Sequence, residues 1–131
     1  MFNTKKIILD TNFLLIPGEY GVDIFSEIER IADFKYKLYV MDNTIKELEK
    51  LIDRYGQKKE GMRVKLGYIM LKQKNLKTIK GSKEHVDDSI VEYASNNPDK
   101  VIVATQDKDL IKRLKGIRTI RLRQKKYLIM G

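Results

Sequence analysis

The sequence predicts an α/β protein whose parallel β-sheet is covered by helices on both faces. Strand-like runs alternate with helical patterns along the chain, and this alternation is typical of a parallel sheet. One run, Val101–Ala104, is apolar throughout, as expected for a strand buried on both faces. The chain has 131 residues and no repeat, low-complexity tract or linker, so we expect one domain over residues 1–131.

The first half of the chain alternates strand and helix patterns and then continues into a long basic helix. In order, the patterns predict a strand at Lys6–Leu9, a helix at Asp23–Phe34, a strand at Leu38–Met41, a helix from the capping residues Asp42, Asn43 and Thr44 to about Asp53, and a helix at Lys58–Lys74 with Met62, Leu66, Ile69 and Met70 on one face.

The second half continues the alternation with shorter elements. In order, the patterns predict a weak strand at Leu76–Ile79, a helix from its cap Ser82 to about Ser95, the strand Val101–Ala104, a short helix that Asp107 opens and that ends before Gly116, a polar strand at Arg118–Leu122, and an edge segment at Tyr127–Met130. The pair Asn96 and Asn97, followed by Pro98, ends the Ser82 helix.

The composition excludes several functional classes. The chain has no cysteine, which excludes disulfides, cysteine-ligated zinc, iron–sulfur clusters and cysteine nucleophiles. His85 is the only histidine, so a histidine-rich metal site is excluded, and we expect His85 on the surface. No apolar run approaches the roughly 18 residues that span a bilayer. We therefore expect no membrane partner and a cytoplasmic location.

The net charge of +9 is distributed in alternating segments. Residues 54–83 carry 10 basic and 1 acidic residues, and residues 110–131 carry 8 basic and no acidic residues. Residues 1–53 and 84–109 have net charges of −3 and −5. A charged run is often only a solvated face. Here the basic segments could instead hold a polyanion while the acidic segments hold a cation.

Two aspartates follow predicted strands. Asp10 comes directly after the first strand, and Asp107 follows the run Val101–Thr105 with one residue between them. Ligands of open α/β sheets bind beyond the carboxyl ends of the strands. Each aspartate could equally be a helix N-cap, and the two roles are compatible because a capping carboxylate can also face a cation.

Two predicted helices carry further acidic candidates. On the helix after Ser82, a projection at about 100° per residue directs Asp87 into the apolar stripe and Asp88 outside it. A carboxylate directed at a core requires a hydrogen bond, a basic partner or a metal ion. On the second predicted helix, Glu47 and Glu49 flank the apolar side on opposite edges, and periodicity does not choose between them.

These acidic residues come from separate segments that could converge at one end of the sheet. Clustered carboxylates repel one another unless a divalent cation lies among them, and all-oxygen ligands suit Mg²⁺ or Mn²⁺. With basic segments on either side, such a cluster fits metal-assisted hydrolysis of a phosphodiester.

Four stretches, taken in order, resemble the motifs of PIN-domain ribonucleases. They are Ile8–Pro17, Ile45–Leu51, Asp87–Ile90 and Val103–Leu110, and together they spread over most of the chain. The resemblance is closest to the Fcf-like subgroup, which includes eukaryotic small-subunit rRNA-processing factors and their archaeal relatives. The basic tail Ile120–Lys126 is also similar to the C-terminal end of that subgroup.

The resemblance implies a three-layer α/β/α sandwich with a parallel sheet of about five strands. It also implies that Asp10, Glu47, Asp87 and Asp107 form an acidic quartet that binds Mg²⁺ or Mn²⁺, and it thereby favours Glu47 over Glu49. The remaining implied site residues are Asp88 and Asp109, as second candidates acting through water or not at all, and Thr11, Asn12 and Thr105, as supports of the aspartates.

The function implied by the resemblance is a divalent-metal-dependent endoribonuclease. Two roles are possible within this class: ribosomal RNA processing and a VapC-type toxin ribonuclease. The protein partner implied is an antitoxin, a ribosome assembly factor or a second copy of the chain. The alternatives from other classes are a non-catalytic RNA-binding PIN scaffold and a phospho-acceptor receiver domain. The receiver domain fits poorly with the heavy positive charge and the glutamate on the second helix.

RNA itself is the expected substrate, and the basic C-terminal segment is the expected surface for it. The predicted RNA-binding residues are Arg118, Arg121, Arg123, Lys125 and Lys126. The alternative surface for RNA is the other basic segment, residues 54–83.

Overall fold

The computed structural model describes residues 4–131; the first three residues of the predicted domain lie outside the described residues. Within the described range the elements are β1 (Lys5–Leu9), a 3-10 helix (Thr11–Leu15), α1 (Ile16–Tyr20), α2 (Ile24–Ile31), β2 (Tyr36–Met41), α3 (Asp42–Tyr55), α4 (Lys59–Gln73), β3 (Lys77–Ile79), α5 (Val86–Asn96), β4 (Val101–Ala104), α6 (Lys108–Arg113), β5 (Arg118–Arg123) and β6 (Tyr127–Met130). None of the helices in this range is long and apolar enough to cross a membrane.

The strands form a six-stranded sheet in the order β3-β2-β1-β4-β5-β6. The pairs from β3 to β5 are parallel, and β6 is antiparallel to β5. The predicted parallel sheet is therefore confirmed, with the edge segment at Tyr127–Met130 as an antiparallel sixth strand. It follows β5 after a short turn in which Gln124 and Lys125 have positive φ angles.

Alternate side chains of the central strands enter two separate cores. Ile7 and Leu9 of β1 pack in the core that is covered by α1 to α4, whereas Ile8 packs in the core covered by α5 and α6. In β4, Ile102 and Val103 are divided between the same two cores. The three-layer arrangement follows from this alternation, because successive strand residues point to opposite faces.

Two helices begin differently from the prediction. At the start of α3, the Asp42 side chain does not cap its own helix, because its Oδ1 accepts a hydrogen bond from the backbone N–H of Gly81 at 2.9 Å. Gly81 belongs to the loop between β3 and α5. After this loop, α5 begins at Val86 and not at the predicted cap Ser82, whose hydroxyl bonds to Glu92. The loop before α5 is therefore tied to the start of α3.

The predicted apolar face of α4 is largely exposed to solvent. Its exposed members are Met62, Leu66 and Ile69, and Met62 is 67% exposed. The buried positions are instead Gly61, Val64, Gly67 and Leu71. A Cβ atom on Gly67 would lie 2.5 Å from the carbonyl oxygen of Leu14, so the absence of a side chain lets α4 lie directly on the 3-10 helix. The sequence pattern predicts the large apolar residues as the packing face, whereas α4 packs through Val64, Leu71 and two glycines.

Candidate active site at the ends of the parallel strands

The strand order creates a crevice at the carboxyl ends of β1 and β4. From β1 the chain builds the sheet outward through β2 and β3 on one side, and later through β4 and β5 on the other. Ligands of open α/β sheets bind at such a switch point. Asp10 lies at this point, and its backbone N–H donates to the carbonyl oxygen of Ala104 at 2.9 Å.

A cavity of about 180 Å³ opens in the crevice. The residues that line it are Asp10, Thr11, Asn12, Glu47, His85, Val86, Asp87 and Asp107. The structure thus places all members of the predicted acidic quartet around one cavity, although they come from four separate places in the sequence.

Asp10 is the most constrained carboxylate of the site, with an exposed fraction of only 6%. The backbone N–H of Thr11 donates to its Oδ1 at 2.8 Å, and the hydroxyl of Thr105 donates to its Oδ2 at 2.9 Å. Burial raises the pKa of Asp10, these two hydrogen bonds oppose the rise, and the negative charges of Asp107 and Glu47 add to it. The cavity therefore has a negative potential that a bound cation would relieve.

Thr105 also joins Asp10 to the second strand-end aspartate. Its hydroxyl oxygen accepts a hydrogen bond from the backbone N–H of Asp107 at 3.0 Å. The side chain of Asp107 in turn accepts from the backbone N–H groups of Asp109 and Leu110, which makes it the N-cap of α6. Asp10 likewise caps the 3-10 helix. Both predicted capping roles are confirmed, and they coexist with a place at the cavity.

The prediction that Asp87 points into the core was wrong. The side chains of Asp87 and Asp88 are 47% and 42% exposed, and both contact Arg113 of α6. One guanidinium nitrogen lies 3.4 Å from Asp87 and the other lies 2.7 Å from Asp88. Because α5 begins only at Val86, both aspartates occupy its first turn. Asp87 lines the cavity, and Asp88 does not.

The structure separates the two glutamates that periodicity left equivalent. Glu47 lies on the side of α3 that faces the cavity. Glu49 accepts a hydrogen bond from the hydroxyl of Tyr68 on α4 at 3.3 Å, outside the cavity. The predicted second candidate Asp109 is exposed on α6 and also lies outside the cavity lining.

Three residues at the site were not predicted there. His85 precedes α5 and is exposed, as expected, but it also lines the cavity. Thr44 is buried beneath the site and bonds to the hydroxyl of Thr11 at 3.2 Å. Arg113 reaches the site from another helix, and no local pattern signals such a contact. The only available signal for His85 was its proximity to Asp87 in the sequence.

The donors around the cavity fit a hard divalent cation. Carboxylate oxygens dominate the lining, and Mg²⁺ and Mn²⁺ prefer such ligands. Among residues 4–131, no three histidine or acidic side chains are gathered closely enough to hold one ion in their present positions. The carboxylates surround the cavity, and Asp87 is engaged by Arg113.

The residues predicted to bind RNA lie at three different places. Arg121 and Arg123 line a cavity beside α6. Lys125 and Lys126 line a shallow cavity next to the start of α2. Arg118 lies over a phenylalanine ring, with its guanidinium carbon 5.8 Å from the ring centre. The basic tail therefore does not form a single patch.

A parallel sheet with carboxylates at its switch point is the arrangement of a PIN-type nuclease site, and the sequence comparisons agree. The family described as "PIN like domain" matches residues 7–125, so the chain belongs to this family. The chain is 36% identical over 125 residues to Ribonuclease VapC4 of Methanocaldococcus jannaschii, a match that covers 93% of each protein. Family membership removes the receiver-domain alternative.

Solved structures with the same fold support the architecture. The PIN domain endonuclease Utp24 superposes with a TM-score of 0.79 at 23% identity, covering 96% of this chain and 90% of that chain. A domain of a functionally unknown protein from Methanocaldococcus jannaschii superposes with a TM-score of 0.61 at 18% identity, covering 92% of both chains. At these identities the likeness concerns the fold.

Proposed function

We propose that the protein is a divalent-metal-dependent endoribonuclease. The observation that carries this proposal is the cavity at the switch point, where the carboxylates of Asp10, Glu47, Asp87 and Asp107 surround one open space. The relative from Methanocaldococcus jannaschii, which is named a ribonuclease, supports RNA as the substrate.

The residues that would hold Mg²⁺ or Mn²⁺ are Asp10, Asp87 and Asp107, with Glu47 completing the set. When bound, the cation supplies stabilisation of negative charge on phosphate oxygens and activation of water. Asp10 is best prepared for this role, because Thr11 and Thr105 already fix both of its oxygens. Asp88 and Asp109 stay outside this set, and Asn12 adds an exposed amide at the rim.

Glu47 is the residue that we assign to the attacking water. It is exposed on α3 and lines the cavity together with the strand-end aspartates, so its carboxylate is available to orient a water molecule and to accept its proton. Attack of this water on phosphorus, with cleavage of the P–O3′ bond and protonation of the departing 3′-oxygen, leaves a 5′-phosphate and a 3′-hydroxyl. Cleavage through a pair of histidines does not apply to a chain whose only histidine is His85.

A cleavage assay tests this function. Single-stranded RNA is incubated with the wild type in Mn²⁺, in Mg²⁺ and in EDTA, and with Asp10→Asn and Asp109→Asn. We expect cleavage only with metal, a loss of at least about a hundredfold for Asp10→Asn, and little change for Asp109→Asn, which removes the same charge outside the cavity. RNA binding without any metal-dependent cleavage would instead support the non-catalytic PIN scaffold.

The cellular role is a finer question with two candidates. A VapC-type toxin ribonuclease is supported by the 36% identity to Ribonuclease VapC4. A role in ribosomal RNA processing is supported by the motif resemblance to the Fcf-like subgroup. The expected protein partner is an antitoxin in the first role and a ribosome assembly factor in the second, and a second copy of the chain would form a homodimer.

Expression in cells separates the two roles. If the protein is a toxin, expression of the wild type stops growth and expression of Asp10→Asn does not. Co-expression of the product of a neighbouring gene then relieves the arrest. A processing enzyme leaves growth unaffected, and RNA crosslinked to Asp10→Asn maps to ribosomal RNA precursors. Sedimentation of the purified protein tests the homodimer.

A further inference from the structure

A second cavity of about 180 Å³ lies beside the candidate active site, between α6 and the β5–β6 hairpin. Its lining combines three basic residues, Lys108, Arg121 and Arg123, with three apolar residues, Ile111, Leu122 and Ile129. No acidic residue lines it. We refer to it as the basic cavity, and to the cavity that contains the four carboxylates as the acidic cavity.

Consecutive residues of the chain line the two cavities. Asp107 lines the acidic cavity, and its neighbours Gln106 and Lys108 line the basic cavity. Consecutive Cα atoms lie about 3.8 Å apart, so the linings of the two cavities are adjacent along this segment. The Gln106 Oε1 accepts a hydrogen bond from the backbone N–H of Leu122 at 2.6 Å, which ties this junction to β5.

The basic cavity contains an unsatisfied donor. The Nε of Arg121 is buried and has no hydrogen-bond partner among residues 4–131. Such a donor carries a desolvation cost in the free protein, and an anion removes this cost if it accepts a hydrogen bond from Nε itself. Phosphate oxygens match the planar fork of arginine, and the neighbouring Lys108 and Arg123 add positive charge.

The apolar residues identify the remainder of the ligand. Ile111, Leu122 and Ile129 provide a surface that a free inorganic anion does not use. A nucleotide has both parts, because its phosphate is an anion and its base and ribose present apolar faces. One cavity of this size accommodates part of a single nucleotide, with the rest in solvent.

We propose that the basic cavity is a nucleotide subsite that binds a phosphate and the adjoining nucleoside of the RNA strand, next to the bond that is cleaved. This inference rests on the proposed ribonuclease function and states where the substrate strand leaves the acidic cavity. Without metal, the acidic cavity repels phosphate. The basic cavity holds the strand whether or not metal is present.

A metal-free binding assay tests the subsite separately from catalysis. A fluorescein-labelled single-stranded RNA of about 12 nucleotides is titrated with protein in EDTA at several salt concentrations, and its anisotropy is recorded. We expect Arg121→Ala and Lys108→Ala each to weaken binding about tenfold and to reduce the salt slope by about 0.7 per lost contact. Lys115→Ala removes the same charge from an exposed turn outside the cavity and should have a smaller effect.

Methyl NMR distinguishes a nucleotide from a simple anion. We expect a nucleoside monophosphate to shift the methyl signals of Ile111 and Ile129, and inorganic phosphate at the same concentration to leave them in place. Equal shifts with phosphate would reduce the cavity to an anion site and overturn the nucleotide assignment.

Three outcomes of the binding assay are decisive. Affinities of Arg121→Ala and Lys108→Ala equal to that of Lys115→Ala overturn the subsite, and so does a wild type that binds no RNA. Lys108 is exposed, so its variant keeps the test valid if Arg121→Ala fails to fold. If the wild type binds RNA through this cavity but never cleaves it, the subsite is supported and the proposed ribonuclease function is wrong.

Discussion

The acidic and basic cavities are lined by consecutive residues, Asp107 and its neighbours Gln106 and Lys108, but are built in opposite ways. In the acidic cavity, charge is concentrated by burial and by hydrogen bonds from Thr11 and Thr105 to the carboxylate of Asp10. In the basic cavity, the positive charge comes from the long side chains of Lys108, Arg121 and Arg123, which lie beside apolar residues. Carboxylates around a cavity favour a small cation, whereas basic side chains beside apolar residues favour a polymer with phosphates and bases.

The same contrast exists within the acidic cavity. Asp10 and Asp107 belong to the rigid strand ends and are joined through Thr105. Asp87 lies in the first turn of α5, half exposed, and its closest cationic partner is Arg113 at 3.4 Å. The site therefore has one fixed half and one half that is held by a contact at the surface.

Asp87 should matter far more to cleavage than Asp88. Asp87 lines the acidic cavity and Asp88 lies outside it, although both contact Arg113 and are similarly exposed. We expect Asp87→Asn to reduce single-turnover cleavage by about a hundredfold and Asp88→Asn by only a few fold. Equal losses would show that both aspartates take part in the site and that the lining alone does not define the quartet.

Removing Arg113 should tighten the binding of metal ions. In the metal-free protein its guanidinium competes with a cation for Asp87, and an exposed ion pair of this kind is worth about 0.2–1 kcal/mol. We therefore expect Arg113→Ala to bind Mn²⁺ about 1.4- to fivefold more tightly by calorimetry. Lys112→Ala, which removes a neighbouring charge from α6, is the control. Weaker Mn²⁺ binding by Arg113→Ala would mean that Arg113 holds Asp87 in its metal-binding position.

Local patterns predicted the order of the elements and most of the candidate site. The strand ends at Asp10 and Asp107 follow from short apolar runs, and a parallel sheet brings such ends to one edge. Periodicity alone did not choose Glu47; the resemblance to a family did, and the structure then placed Glu47 at the cavity. The sequence-based prediction is strongest for site residues that directly follow a strand, because the end of the strand determines where such a residue lies.

The errors in prediction came from contacts between distant segments. The face of α4 was misassigned because Gly61 and Gly67 allow close backbone packing, which an apolar projection does not register. The direction of Asp87 was misassigned because Asp87 lies in the first turn of α5, where Arg113 of α6 contacts it. Contacts between distant segments can be identified only from a structure that contains both segments.

The smallest predicted effect concerns the fixed half of the site and its dependence on pH. Burial and the nearby acidic residues raise the pKa of Asp10 in the folded protein above its unfolded value of about 3.9. The ionised carboxylate therefore destabilises the folded state, and this cost develops as the pH rises from the unfolded value through the raised one. In EDTA at neutral pH we expect Asp10→Asn to melt a few degrees above the wild type, which corresponds to a gain of about 1 kcal/mol in the free energy of unfolding. This gain should disappear as the pH falls below about 4.

Thermal melts across this pH range measure the difference, and Asp109→Asn controls for the loss of one charge. A gain that persists unchanged in acid would show that the stabilisation comes from the amide's own hydrogen bonds to Thr105, and that the ionised Asp10 is not strained by its surroundings.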